Sequence, residues 1–323
     1  MGKNREKISF VIPCYNSTDT IGQVVQEIKT VMQGAMKEYE YEIVLVNDCS
    51  PDGTTYDAIL EIVEREKNIK GIDLARNFGQ PSAVMAGLNH ITGDYAVCGD
   101  DDGQTPFDEL PKLFKKIEEG YDLVEANYAI RERRSLLRRL GTRMNEWMAT
   151  WLIAKPKGLE LTTYWVARRF VVDNMLEYPN SYPYLGGLML RATQNACNVD
   201  VTHRERLSGS SGYNIRKMME LWLNGFTSFS AKPLRVMAAI GFVVAIIGFI
   251  YGVITIVNKI IDPSVLVGYS SLMSINLFMF GVMFLFMGLI GEYVGRIYIS
   301  LNKAPQFVIK DYKESDMNNG KGD

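Results

Sequence analysis

The sequence has little net charge, few histidines and no paired cysteines, and each shortage argues against a class of function. It contains 35 lysines and arginines against 37 aspartates and glutamates, a formal net charge of −2 that gives no general attraction to nucleic acid. The four cysteines stand far apart without a C-x-x-C pair, and the two histidines, His90 and His203, are too few to complete a zinc site with them. The polar N-terminus MGKNREK lacks the features of a cleavable signal, so we expect reduced cysteines in the cytosol.

Two common nucleotide-binding signatures are missing as well. No G-x-G-x-x-G follows the first apolar segment, and no G-x-x-x-x-G-K-[ST] occurs in the sequence. A dinucleotide-binding fold and a P-loop therefore lose their main support.

Charge is absent from two long segments near the C-terminus. The sequence is uncharged between Arg235 and Lys259, and again from Pro263 to Gly291. Each segment is longer than the ~20 residues that a helix needs to cross the hydrocarbon core of a membrane. Two such segments in succession predict a transmembrane hairpin at 231–300.

The hairpin divides the chain into three parts. Its helices are predicted at about 236–258 and 268–291, after a catalytic domain at 1–230 and before a tail at 301–323. Lysines and arginines stand on the outer sides of both helices, whereas the link between them holds only Lys259. This bias predicts a multi-pass protein of the cell membrane, with both termini and the catalytic domain in the cytoplasm.

Before the hairpin, apolar segments of strand length alternate with segments of helical periodicity. The strand candidates are ISFVIPCY, YEIVLVND, IKGIDLA, DYAVCGD and YDLVEANYA. The segment IGQVVQEIKTVM between the first two has its apolar residues at helical spacing. This alternation predicts an α/β domain with a mostly parallel sheet and crossover helices.

Polar residues follow the strand candidates at the point where each one ends. They are Tyr15 and Asn16, Asn47 and Asp48, Arg76 and Asn77, and the cluster from Asp100 to Asp102. Because ligands of open α/β sheets bind at the carboxyl ends of the strands, we expect these residues to form one shared site.

The aspartates in GDDDGQTP are the strongest chemical signal in the sequence. In an extended segment Asp100 and Asp102 point to the same side, and Gln104 follows two residues later. Two carboxylates and an amide oxygen suit Mg²⁺ or Mn²⁺ bound to a diphosphate. The alternative is a solvated acidic turn, but the position after the fourth strand candidate favours a ligand site.

Four short motifs occur in order along the N-terminal domain: VIPCYN, VNDCSPDGT, LARNFGQ and DDDGQTP. They resemble VIPxYN, VDDGSxDGT, LSRNFGK and DADLQDP of the inverting family 2 glycosyltransferases. GFTSFSAKPLR, the hairpin and GEYVGRIY follow, as in the polyprenyl-phosphate glycosyltransferases, the group that includes dolichyl-phosphate mannose synthases. The resemblance implies the GT-A fold, a nucleotide-sugar-binding domain with interfacial helices and a C-terminal transmembrane hairpin.

The resemblance also implies residue roles. The nucleotide sugar would be bound by Pro13, Tyr15, Asn16, Asp48, Arg76 and Asp100. Asp100 and Asp102 would act in catalysis, and Asp102 with Gln104 would hold Mg²⁺ or Mn²⁺.

Some positions differ from the family pattern. Asn47 replaces an acidic residue, Asp101 and Gly103 replace alanine and leucine, and TTYWVARR (Thr162–Arg169) replaces DFRLLSRR. The last of these changes falls in the region expected to contact the sugar and the acceptor phosphate.

Arginines are concentrated in RERRSLLRRLGTR, residues 131–143. The planar guanidinium group suits phosphate, so Arg131 and Arg134 are predicted as catalytic residues for the acceptor phosphate, with Arg206 as a further candidate. A solvated helix face is the alternative, but the continuation MNEWMATWLI has the character of a helix lying on the inner leaflet.

These observations predict an enzyme that transfers a single sugar with inversion from UDP-glucose or UDP-N-acetylglucosamine to undecaprenyl phosphate. The product would be a lipid-linked donor for modification of cell-envelope glycans. The expected partners are the nucleotide sugar, the polyprenyl phosphate, the membrane and further copies of the chain in a homo-oligomer. The alternatives are a processive polysaccharide synthase, which the absence of Q-x-x-R-W disfavours, and a non-catalytic sugar-nucleotide-binding scaffold in the membrane.

Overall fold

The computed structural model describes residues 5–128, 150, 155–181, 183–202, 204, 232–261, 268–301 and 304–315. The chain forms two compact units. One comprises Met1–Glu220 with Lys303–Asp323, and the other comprises Leu221–Asn302.

The described part of the first unit is built on an eight-stranded sheet with the order β7-β5-β6-β4-β1-β2-β3-β8. The strands are β1 Lys7–Cys14, β2 Glu40–Asn47, β3 Ile69–Leu74, β4 Tyr95–Cys98, β5 Leu123–Tyr128, β6 Trp165–Arg168, β7 Ala196–Val201 and β8 Ile309–Glu314. The helices are α1 Ile21–Gln33, α2 Thr55–Arg65, α3 Gln80–Leu88, α4 Leu110–Glu118, α5 Arg169–Leu176 and α6 Leu185–Ala192.

The middle of the sheet is parallel, as the sequence predicts. β4, β1, β2 and β3 run side by side in one direction, with helices in the crossovers between them. β6 lies antiparallel between β4 and β5, β7 pairs parallel with β5, and β8 pairs antiparallel with β3. The five strand candidates are confirmed as β1 to β5, whereas β6, β7 and β8 were not anticipated.

Burial on both faces explains why the central strands are so apolar. Ile8, Phe10 and Ile12 of β1 are fully buried and pack with α1, whose apolar residues recur at helical spacing. On α3, Gly87 lies so close to β1 that a Cβ atom there would overlap the Val11 side chain. The close contact packs α3 directly against β1 and β2.

The second unit contains two long helices, α7 Lys232–Ile261 and α8 Tyr269–Leu301. They cover the two segments predicted as helices, at about 236–258 and 268–291, and their position in a membrane stays a prediction. Within the described residues, α8 has one stretch long and apolar enough to cross a membrane, Phe278–Gly295, and none of it is buried by protein. The corresponding apolar stretch of α7, Met237–Gly248, is shorter.

Candidate functional site

The carboxyl ends of β1, β2, β3 and β4 meet at one edge of the sheet. The loops that follow these strands therefore come together although they are distant in the sequence. They contribute the predicted nucleotide-sugar residues Tyr15, Asn16, Asp48, Arg76 and Asp100, and Pro13 lies just before them near the end of β1.

Asp48 organises one wall of this edge. It is 4% exposed, and its two carboxylate oxygens each accept a hydrogen bond of 2.8 Å, from the backbone N–H groups of Phe78 and Gly79. Burial raises the pKa of Asp48, and the two hydrogen bonds oppose that rise. Since both oxygens hold the loop before α3, Asp48 shapes this wall of the site; direct contact with a nucleotide stays a prediction.

Arg76 lies on the same loop. Its guanidinium carbon stands 4.6 Å from the centre of the Phe78 ring, a cation–π distance. The Arg76 side chain is exposed, so the stack orients a cation at the rim of the site.

Asp100, two residues after the end of β4, is held from two sides. One carboxylate oxygen accepts a hydrogen bond of 2.5 Å from the Thr163 hydroxyl and the other accepts one of 2.9 Å from the Gln80 side chain. Burial, together with repulsion from Asp102 and Asp101, raises the pKa of Asp100 to about 6, against the lowering effect of the Thr163 hydrogen bond. The carboxylate is thus held in one orientation, beside two further carboxylates, those of Asp101 and Asp102.

Asp101 has a different task. Its carboxylate accepts hydrogen bonds from the Tyr15 backbone N–H, at 2.9 Å, and from the Ser17 hydroxyl. These contacts fasten the loop after β1 to the loop after β4. The extra aspartate relative to the family motif therefore joins two walls of the site.

Asp102 and Gln104, the predicted metal ligands, lie on one tight turn. Asp102 accepts a hydrogen bond of 3.0 Å from the Gln104 backbone, and the Gln104 side chain donates to the Arg204 carbonyl at 3.2 Å. Gly103 between them has a φ of 77°, a conformation that suits glycine.

The donor atoms of this turn fit a hard divalent cation. No group of three or more His, Cys, Asp or Glu side chains in the described residues could by itself hold a metal ion. Asp102, Asp100 and the Gln104 amide oxygen instead offer an incomplete set of oxygen ligands, which suits Mg²⁺ or Mn²⁺ when phosphate oxygens supply the rest. Burial, and to a lesser extent repulsion from Asp102 and Asp101, raises the pKa of Asp100, and a bound cation would relieve this repulsion.

Glu125 on β5 is a residue that the sequence analysis missed. It is fully buried, and one carboxylate oxygen accepts hydrogen bonds from the Thr162 N–H at 2.8 Å and the Thr162 hydroxyl at 3.2 Å. The other oxygen has no hydrogen-bond partner among the described residues. Burial raises the pKa of Glu125 to about 8, so the group is mostly neutral at pH 7. An acidic residue inside the apolar segment YDLVEANYA was the available signal.

Three predicted residues cannot be placed. Arg131, Arg134 and Arg206 all lie outside the described residues. Their proposed contacts with phosphate remain predictions from the sequence.

Comparison with known proteins decides the family. The sequence model of glycosyl transferase family 2 matches residues 9–177, and that of the GtrB C-terminal hairpin matches residues 232–297. The chain belongs to glycosyl transferase family 2. The resemblance seen in the motifs is confirmed, and with it the GT-A-like fold, the C-terminal hairpin domain and the assignment as a glycosyltransferase enzyme.

The family 2 relatives match over nearly the whole chain. A prophage bactoprenol glucosyl transferase homolog from Escherichia coli K12 is 34% identical, over 95% of this chain and 100% of its own length. An undecaprenyl-phosphate 4-deoxy-4-formamido-L-arabinose transferase from Photorhabdus laumondii is 32% identical, over 96% and 97%. Among solved structures, mannosyl-3-phosphoglycerate synthase from Rubrobacter xylanophilus aligns at 18% identity with a TM-score of 0.49, over 68% of this chain and 71% of that one.

Proposed function

We propose that this family 2 enzyme transfers a single sugar, with inversion, from a nucleotide sugar to undecaprenyl phosphate. The observation that carries the proposal is the meeting of Asp100 and Asp102 with the ends of β1 and β2 at one sheet edge. The same chain carries the hairpin domain and matches the named polyprenyl-phosphate transferases over more than nine-tenths of its length.

The aspartate loop would bind the leaving diphosphate. Asp102 and Gln104 would hold a Mg²⁺ or Mn²⁺ ion, which supplies charge stabilisation to the departing nucleoside diphosphate when bound. Asp100, fixed by Thr163 and Gln80, has one orientation before the substrate arrives. Such preorganisation lowers the barrier because the group does not have to reorient during the reaction.

The acceptor needs little help from a general base. A phosphate monoester is already largely anionic at pH 7, so its oxygen is a competent nucleophile once it stands in line with the anomeric carbon. We assign the positioning of this phosphate to Arg131 and Arg134, with Arg206 as a further contact, because the guanidinium group binds two phosphate oxygens at once.

For the donor we propose UDP-glucose, with UDP-N-acetylglucosamine as the second candidate. Relatives named bactoprenol glucosyl transferases support glucose. A relative of similar identity is named for a different sugar, 4-deoxy-4-formamido-L-arabinose.

We further propose that the hairpin lies in the cell membrane with the catalytic unit on the cytoplasmic side, as the distribution of lysine and arginine predicts. The homo-oligomer also stays a prediction.

The test is transfer of radiolabel into lipid. Membranes containing the protein and undecaprenyl phosphate are incubated with UDP-[¹⁴C]glucose or UDP-N-acetyl[¹⁴C]glucosamine, and the organic extract is counted and analysed by mass spectrometry. The proposal expects one lipid-linked hexose per product with UDP-glucose, and none with Asp102→Asn. Lipid carrying several sugars would favour a processive synthase, and binding of donor without turnover would favour a scaffold.

A further inference from the structure

The strand that follows the hairpin belongs to the sheet of the catalytic unit. β8 pairs antiparallel with β3 from Lys70↔Glu314 to Leu74↔Ile309. It lies beyond both matched family segments, 9–177 and 232–297, so neither match assigns it a role.

Several side chains fasten this C-terminal strand. The Tyr56 hydroxyl donates to the Asp311 carboxylate at 3.1 Å, and the rings of His90 and Tyr312 have centres 5.2 Å apart. Before the strand, the Val308 carbonyl accepts a hydrogen bond of 2.8 Å from the backbone of Ala75, directly after β3. The segment is therefore held along the whole of β3 and one residue beyond its carboxyl end.

Lys310 reaches from β8 to a buried carboxylate. Its ammonium nitrogen lies 3.0 Å from one oxygen of Asp73, a residue of β3 that is 4% exposed. The other Asp73 oxygen accepts a hydrogen bond of 2.7 Å from the Asn47 side chain at the end of β2. A buried carboxylate needs such partners because burial without them is costly.

The network continues into two loops of the site. The side-chain amide oxygen of Asn47 accepts a hydrogen bond of 2.6 Å from the Ser50 hydroxyl and one of 3.2 Å from the Ser50 backbone N–H. The Ser50 hydroxyl oxygen in turn accepts a bond of 3.0 Å from the Asn16 backbone. Asn16 and Cys49 both have positive φ, 58° and 51°, which a residue other than glycine keeps only when its surroundings hold it.

We propose that Lys310 is a positioning residue for nucleotide binding, and that the C-terminal strand thereby completes the nucleotide pocket. Lys310 neutralises Asp73, Asp73 orients the Asn47 amide, and Asn47 fixes the loops that carry Asn16 and Asp48. The inference rests on the proposed function, since it assigns these loops to the nucleotide half of the donor.

The direct test measures UDP binding to the full-length protein in nanodiscs by calorimetry. Lys310→Met is expected to raise the Kd for UDP about tenfold and the KM for the nucleotide sugar in parallel. The expected size is that of one charge-assisted hydrogen bond, here the bond from Lys310 to Asp73. The kcat at saturating donor should change by less than about twofold, because the aspartate loop is untouched. Lys310→Arg should recover most of the affinity, and Lys313→Met, an exposed lysine of the same strand, should leave it unchanged.

A second variant separates this mechanism from a general loss of structure. Asp73→Asn should weaken UDP binding by itself, and adding Lys310→Met to it should have almost no further effect if the lysine acts through Asp73. Independent, additive effects of the two changes would overturn the inference. The inference would also be overturned if the wild type binds UDP and Lys310→Met binds it with the same Kd. A wild type that binds no nucleoside diphosphate would instead overturn the proposed function and this inference together.

Discussion

Thr163 donates a hydrogen bond of 2.5 Å from its hydroxyl to Asp100. The contact joins the segment before β6 to the end of β4, two parts of the chain 63 residues apart. The neighbouring Thr162 is hydrogen-bonded to the buried Glu125, so the segment is anchored in the core by Thr162 and holds the candidate site residue Asp100 through Thr163. The orientation of Asp100 thus depends on a segment that differs from the family motif.

Replacing Thr163 by valine is expected to lower kcat/KM about tenfold. The change keeps the shape of the side chain but removes a hydrogen bond to a charged group, an interaction of about 1.5 kcal/mol. Thr163→Ser retains the hydroxyl and should stay within roughly threefold of the wild type. Steady-state kinetics with the radiolabelled donor provide the measurement, and equal activity in the valine and serine variants would contradict this role.

Removal of divalent metal is expected to abolish transfer. EDTA should stop the reaction, and Mn²⁺ or Mg²⁺ should restore it, because the proposal gives Asp102 and Gln104 the role of holding an ion that would stabilise the charge of the leaving diphosphate. Asp102→Asn should be nearly inactive yet unfold at the wild-type temperature, while Asp57→Asn, an exposed aspartate on α2, should behave as wild type. Full activity in chelator would refute the metal assignment.

The sequence predicts the interior of the sheet better than its edges. β1 to β4 are almost wholly buried, and apolar runs such as ISFVI in β1 and IVLV in β2 are recognisable from composition. β8 reads IKDYKE, with the charges that protect an edge strand, and so it is typical of a solvated tail. β6 is as short as β4, and its place between β4 and β5 depends on pairing between distant parts of the chain.

The same contrast applies to the site. Asp100, Asp102 and Gln104 are close in sequence, so their spacing predicts their chemistry. Glu125 is hydrogen-bonded to Thr162, 37 residues away in the sequence, and Lys310 to Asp73, 237 residues away. Contacts of this kind arise from the strand order, which a single sequence does not determine.

The prediction for the arginine segment, residues 131–143, rests on the sequence alone. Arg131→Ala and Arg134→Ala are each expected to lose at least tenfold in kcat/KM, since a charge-assisted bond to phosphate contributes about 1.5–3 kcal/mol. Lysine should rescue these variants only in part, because an ammonium group lacks the two-pronged geometry of arginine.

Arg143→Ala is the matched control for these arginines. It should mainly weaken sedimentation with vesicles that contain anionic lipid, with little effect on the rate at saturating acceptor. If all three alanine variants behave alike and lose little activity, the segment is a solvated helix face. The acceptor phosphate would then be sought near Arg206.

Glu125 makes the stability of the catalytic unit depend on pH. Its pKa is about 8 in the folded protein, against 4.5 for the unperturbed group, so between these values the folded state holds a proton that the unfolded state releases. Its contribution to stability is therefore present below about pH 4.5 and is lost as the pH rises towards 8.

Glu125→Gln keeps the neutral form at every pH, and its unfolding temperature relative to wild type should rise between pH 6 and pH 9. Thermal unfolding measured across this range provides the test, with exposed Glu64→Gln as the control. A constant difference between Glu125→Gln and wild type over the whole range would mean that Glu125 is ionised in the native protein.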